Sequence, residues 1–168
     1  HWSYSETKSL VDISIDDYLK FGGYPGSYVF KDRPEEFVNY LKTSIVSSVI
    51  DKDILNNHTV KMPSLFKQAF ELIMAYPAQE VSYTKLLGQL QDKGNTDLVK
   101  YYISLYEGAF LIESVSKYSS KGIKRRTSAP KLIPLCPGFY YLTIQDDYKT
   151  DERGRVFELV VGAALNRL

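Results

Sequence analysis

The sequence predicts a mainly helical chain with a small β wing, a winged helix-turn-helix with flanking helices. Three observations predict it. Apolar residues recur at helical spacing in three successive segments between Pro63 and Ala109, each with its own start and stop signals. Two apolar, strand-like runs follow, at 110–118 and 131–136. Between them lies the basic tongue KGIKRRTSAPK (121–131). Helix, helix, helix, strand, tongue, strand is the order of a winged-helix module.

Each element has local reasons. Residues 14–20 read as a short helix that ends at the breaker Gly22-Gly23-Tyr24-Pro25-Gly26, where glycine permits positive φ. The next helix is expected to start from an Asp32-x-x-Glu35 capping box with Pro34 in its first turn. It carries Phe37, Leu41, Ile45 and Val49 on one stripe as far as about Leu55. Asn56-Asn57-His58 is a loop. A helix from near Pro63 turns Leu65, Phe66, Ala69, Phe70, Ile73 and Met74 inward and stops at Tyr76-Pro77. Ser82 caps a shorter one with Leu86, Leu87 and Leu90 inward, broken at Lys93-Gly94. Asn95 caps the third, with Asp97 favourably placed in its first turn. Its buried face is Leu98, Val99, Tyr102, Leu105, Tyr106 and Ala109, and its solvent face is Thr96, Lys100, Tyr101, Ser104 and Glu107. The second strand contains Pro134, which marks an edge. Residues 146–155 read as a polar linker, and Val156 to Leu168 as a helix with Val156, Val160, Ala164 and Leu165 near one face. The expected division is a helical arm at 1–58, a winged-helix domain at 59–142 and the start of a C-terminal segment at 143–168. His1-Trp2 is an unusual beginning and Leu168 falls inside a helical pattern, so the chain is expected to be a portion of something longer.

Composition narrows the function classes. With 168 residues, 44% of them apolar, the chain can bury a real core. Its 21 basic and 20 acidic residues give a net charge of +1, but the total hides an asymmetry. Residues 114–145 hold 6 basic and 0 acidic side chains, which leaves the remainder at −5. A basic surface on a mildly acidic body points toward phosphate. One cysteine, Cys136, excludes an internal disulfide and fits a reducing compartment. With two histidines besides, no zinc site is expected. No apolar run approaches a membrane span of roughly 20 residues and no signal peptide is visible, so a cytoplasmic chain without a membrane partner is expected.

The candidate binding residues follow from that asymmetry. In a helix-turn-helix the second of the turn's helices enters the major groove and the wing lies beside it. Lys100, Tyr101 and Ser104 are then presented outward on the third helix, and Lys117, Lys121, Lys124, Arg125, Arg126 and Lys131 on the wing. The reading face is thin in Arg, Asn and Gln, the usual base readers, so contacts to backbone phosphate should dominate and weaken steeply with salt. The alternative is a module that packs on another domain or subunit, including a second copy, with its basic loop merely solvated. No P-loop occurs, and Gly22-Gly23 is too short to cradle phosphate alone. Glu158 is either a helix-surface carboxylate or a metal ligand completed by residues beyond Leu168. Cys136, between Leu135 and Pro137, reads as a core residue.

Four segments in order resemble the C-terminal part of prokaryotic AAA-type ATPases that carry a C-terminal domain of unknown function. DYLKFGGYP (17–25) looks like that family's Y-L-x-x-G-G-x-P element. SIVSSVIDKDI (44–54) looks like its helix ending in K-D-I. VSYTKLL (81–87) with 96–111 resembles its winged-helix portion. RTSAPK (126–131) followed by GRVFE (154–158) resembles its S-x-P-K strand and G-x-x-F-E helix. The resemblance implies an ATPase parent whose nucleotide-binding core lies upstream, so ATP and magnesium belong to the parent and this chain alone is not an enzyme. It implies that residues 1–58 are a lid-like arm, with Gly22, Gly23 and Pro25 in its turn near the nucleotide. It also implies a restriction-endonuclease-like segment beginning near Glu158. The family's Asp after the final wing strand is replaced here by Leu135-Cys-Pro137, which counts against nuclease chemistry.

Overall fold

The computed structural model describes residues 1–90, 94–118, 129–143 and 150–165, the last range without the side chains of 150–152. Those residues form a mainly helical body with one two-stranded antiparallel sheet.

Two short helices open the chain, α1 (Tyr4–Leu10) and α2 (Ile15–Phe21). Each starts at a complete capping box, Ser3 with Glu6 and Ser14 with Asp17, in which serine hydroxyl and carboxylate reciprocally satisfy the first backbone donors. The chain turns at Gly22 into a 3-10 segment, Pro25–Phe30. The long helix after it begins as α3 (Pro34–Tyr40) and continues with the wider π winding over Leu41–Ser47 and Val49–Leu55. Two expectations change here. Arg33, not Asp32, is the N-cap, and no side chain caps this end; Arg33 instead pairs with Glu36 at 2.8 Å. The buried stripe is Phe37, Leu41, Val46, Ile50 and Ile54, with Ile45 and Val49 only partly buried. Hydrogen bonds from i to i+5 add a residue to each turn, so the buried position moves on by one.

The next three helices match their start signals. α4 is Pro63–Met74, α5 is Tyr83–Gln89 and α6 is Thr96–Gly108. The Ser82 hydroxyl accepts from the Lys85 N–H at 3.1 Å and the Asn95 carboxamide oxygen from the Leu98 N–H at 2.8 Å. α6 ends in a Schellman turn: Leu111 N–H donates to Tyr106 C=O and Phe110 N–H to Glu107 C=O, both at 3.0 Å. Phe110 occupies the left-handed position, φ 56°, where glycine is usual. Glu107 then accepts from both the N–H and the hydroxyl of Ser114, tying the helix end to the sheet.

The strands are β1 (Ile112–Val115) and β2 (Lys131–Pro134), shorter than the apolar runs that announce them, in register Ile112↔Pro134 through Val115↔Lys131. A lone antiparallel bridge joins Glu80, between α4 and α5, to Lys131. A 3-10 segment at Pro137–Leu142 then buries Phe139, Tyr140 and Tyr141. The last helix, α7 (Thr150–Leu165), begins within the expected linker. It buries Val156, Leu159 and Ala163, whereas Ala164 and Leu165 are exposed. That face meets Ile133 of β2, Leu19 of α2 and Tyr140.

One aromatic stack organises the core. Phe66 lies 4.4 Å from Tyr106, stacked, and 5.0 Å from Tyr102, edge-on. Phe70 bridges Tyr106 and Phe139. Such pairs contribute about 0.5–1.5 kcal/mol each beyond the area they bury. The Tyr106 hydroxyl donates to the Phe66 carbonyl, which satisfies a polar group that is otherwise fully buried.

Candidate functional site

The sequence-predicted cations divide into those already paired and those in other settings. Lys100, on the outer face of α6, donates to Asp97 at 2.9 Å and sits 5.8 Å from the Tyr83 ring centroid. Lys131, at the start of β2, donates to Glu158 of α7 at 2.5 Å. Lys117 is exposed just beyond β1. Lys121, Lys124, Arg125 and Arg126 lie outside the described residues. Glu158 thus has a partner within the chain that no local pattern could name, because 27 residues separate the two.

The glycine turn is a packing junction. Gly22 caps α2 at φ 73° and ψ −161°, a conformation open to glycine alone. Cys136 Sγ fills the space over it: a Cβ built there would lie 2.2 Å from that sulfur. The space over Gly23 is filled by Trp2, whose N–H donates to the Gly23 carbonyl at 2.7 Å. Pro25 opens the 3-10 segment. Both glycines are thus packed against other parts of the chain. Cys136 is fully buried, as expected of a core residue, and burial pushes its thiol up to about 11, although backbone N–H groups of Gly138, Gly23 and Phe139 pull the other way.

Tyr101 leads to a feature that sequence reasoning missed. It lines a pocket of about 460 Å³ together with Thr59, Lys61, Met62, Gly94, Asn95 and Leu98. The loop before α4 supplies one wall and the capped start of α6 the other. The Tyr101 ring is 40% exposed, and its hydroxyl donates to the Thr59 carbonyl at 3.4 Å. Met62 is fixed from behind, its carbonyl accepting from Tyr102 at 3.4 Å. Lys61 is exposed and, among the described residues, has no ion pair. The only signal in the sequence was Tyr101 on a solvent face; nothing local brings Thr59 to it across 42 positions. The arrangement offers an apolar floor, one exposed aromatic face and one available cation.

A family model described as a domain of unknown function, DUF8612, matches residues 13–146. The chain belongs to DUF8612. The DUF8612 span covers α2 through the 3-10 segment after β2, so the glycine turn, the pocket and both strands lie within it, while α1 and α7 lie outside. No curated protein and no solved structure matches the chain. Among the described residues of this DUF8612 chain, no three metal-ligating side chains come together, and no helix is long and apolar enough to cross a membrane.

Proposed function

We propose that this chain is the C-terminal winged-helix portion of an AAA-type ATPase and that its basic wing contacts nucleic-acid backbone. The observation that carries the binding part is the Val115↔Lys131 pairing: it makes two adjacent antiparallel strands the ends of a run with six basic and no acidic residues. The winged-helix part is supported by the order of α4, α5, α6, β1 and β2, and by the Glu80↔Lys131 bridge, which joins the α4–α5 connection to the hairpin. The ATPase part rests on the ordered motifs at 17–25, 44–54, 81–111 and 126–158. Lys100 and Lys131 are each engaged by an acid, so the binding charge falls to the tongue.

Fluorescence anisotropy with labelled duplex DNA at two salt concentrations tests the binding part. Binding that weakens steeply with salt and is lost in Lys124/Arg125/Arg126→Ala supports it; no binding at low salt, or binding indifferent to that triple variant, overturns it. A G-x-x-x-x-G-K-[ST] motif upstream in the parent polypeptide tests the ATPase part.

One observation favours a protein-interaction module instead. Phe157, Val161 and Leu165 recur every fourth residue on α7 and are 50%, 41% and 64% exposed, an apolar stripe with no partner among the described residues. Light scattering across a concentration series tests for self-association; a strict monomer removes that form of the alternative.

A further inference from the structure

We propose that the pocket between the Thr59–Met62 loop and the start of α6 receives one unpaired nucleotide of a single-stranded nucleic acid, its base against the Tyr101 ring and a flanking phosphate on Lys61. This rests on the nucleic-acid reading above and narrows it to a class of strand.

Size and chemistry agree. A volume of about 460 Å³ lies within the range, roughly 300–1,000 Å³, that small organic ligands occupy. Met62, Leu98 and the Tyr101 ring form an apolar surface suited to the π face of a base and poorly suited to a sugar-phosphate backbone alone. Tyr101 is held ready for stacking, because its hydroxyl is fixed on the Thr59 carbonyl and little freedom is lost when a base lands on the ring. Lys61 supplies one positive charge at the rim that, among the described residues, no acid pairs with, which complements one phosphate. Asn95 spends its carboxamide oxygen on the Leu98 N–H, which leaves its NH₂ as a donor at the pocket wall.

The same features disfavour a duplex. Bases in a duplex are stacked on one another and present edges, not faces, so an exposed aromatic face lining a pocket has nothing to stack on there. The outer face of α6 carries Lys100, Tyr101 and Ser104, none of them a bidentate edge reader of the Arg, Asn or Gln type, and Lys100 is occupied by Asp97. An aromatic platform beside a positive charge is the surface that binds single strands with little sequence preference.

The test compares an oligothymidine of about 20 nucleotides, longer than the 4–16 that such surfaces cover, with a duplex of the same length. The wild-type chain is expected to bind the single strand more tightly. Tyr101→Ala should weaken single-strand binding by roughly 5- to 100-fold and leave duplex binding within about twofold, while Tyr101→Phe, which keeps the ring but loses its tie to Thr59, should weaken it by no more than about fivefold and by less than Tyr101→Ala. Lys61→Ala should lower the slope of log K against log salt by about 0.7 on the single strand. Both positions are exposed, so the variants should fold, and circular dichroism checks that they do. Single-strand binding unchanged in Tyr101→Ala and Lys61→Ala, or equal losses on both nucleic acids, overturns the proposal and leaves the backbone reading standing. Failure of the wild-type chain to bind either nucleic acid at low salt overturns both.

Discussion

The junction of Gly22 with Cys136 yields a prediction whose parts can be separated. Gly22→Ala adds one methyl group at φ 73° and ψ −161°, where L side chains are strained by about 1–3 kcal/mol. The new Cβ would lie 2.2 Å from Cys136 Sγ, in a part of the core where that sulfur is fully buried, and overpacking of this kind costs a further 1–3 kcal/mol or so. The expected loss is therefore about 2–6 kcal/mol. Cys136→Ala removes the sulfur and leaves the next contacts of that Cβ at 3.3 Å, to Pro137, which is tight and needs a small shift, and 3.4 Å, to the Gly138 nitrogen, which is ordinary. Alone it should cost about 1 kcal/mol. Combined with Gly22→Ala it should recover the overpacking part and leave the backbone strain, so the double variant falls short of additivity by about 1–3 kcal/mol. Urea unfolding followed by circular dichroism measures all three variants, with the midpoint moving and m constant. A Gly22→Ala loss under about 0.5 kcal/mol, or strictly additive effects, would refute the reasoning.

Other predictions follow from single features. The Cys136 thiol is raised from 9.0 to about 11 by burial, so the unfolded chain ionises first: this contribution is fully present below pH 9 and is lost between about pH 9 and pH 11, amounting to roughly 3 kcal/mol, and unfolding midpoints at pH 8 and pH 10.5 should converge in Cys136→Ala relative to wild type. Phe110→Gly relieves a left-handed φ of 56° at a side chain that is 72% exposed, and should raise stability by about 0.5–1 kcal/mol, read as a higher melting temperature. Glu107→Ala unties α6 from Ser114 and should cost about 1–2 kcal/mol in urea unfolding. Glu158→Ala should change stability by less than about 1 kcal/mol, because the pair is partly exposed, yet tighten nucleic-acid binding by up to about fivefold as Lys131 is released; unchanged or weaker anisotropy titrations would show that Lys131 does not face the ligand.

How much the sequence revealed depended on how local each cause was. Ser82 and Asn95 were legible as caps because the bonds they make close within three residues. Asp32 misled: it has the chemistry of a cap, but the helix begins at Pro34 and the cap falls on Arg33. The stripe after Leu41 drifted because periodicity presumes 3.6 residues per turn and the π winding departs from it. α7 shows a different limit. Val156, Val160 and Ala164 are as good a helical stripe as Val156, Leu159 and Ala163, and only Leu19, Ile133 and Tyr140, far away in sequence, decide between them. The candidate pocket was half legible. Tyr101 reads as outward-facing, but Lys61 and Thr59 belong to a stretch with no pattern of its own, and a cavity made by a loop and a distant helix start leaves no trace in either.

The docking of α7 on α2 bears on the order in which the molecule is completed during synthesis. Leu19 is 2% exposed in a cluster with Val156 and Tyr140, and Asp16 is held by Arg153. The first of these residues leaves the ribosome more than a hundred positions before the last. At about 5–20 residues per second, Leu19 of α2 waits for many seconds for these partners. The acidic first turn of α2, with Asp16 and Asp17, would then act as a solubilising guard over a surface that must stay unclaimed until the helix that owns it arrives.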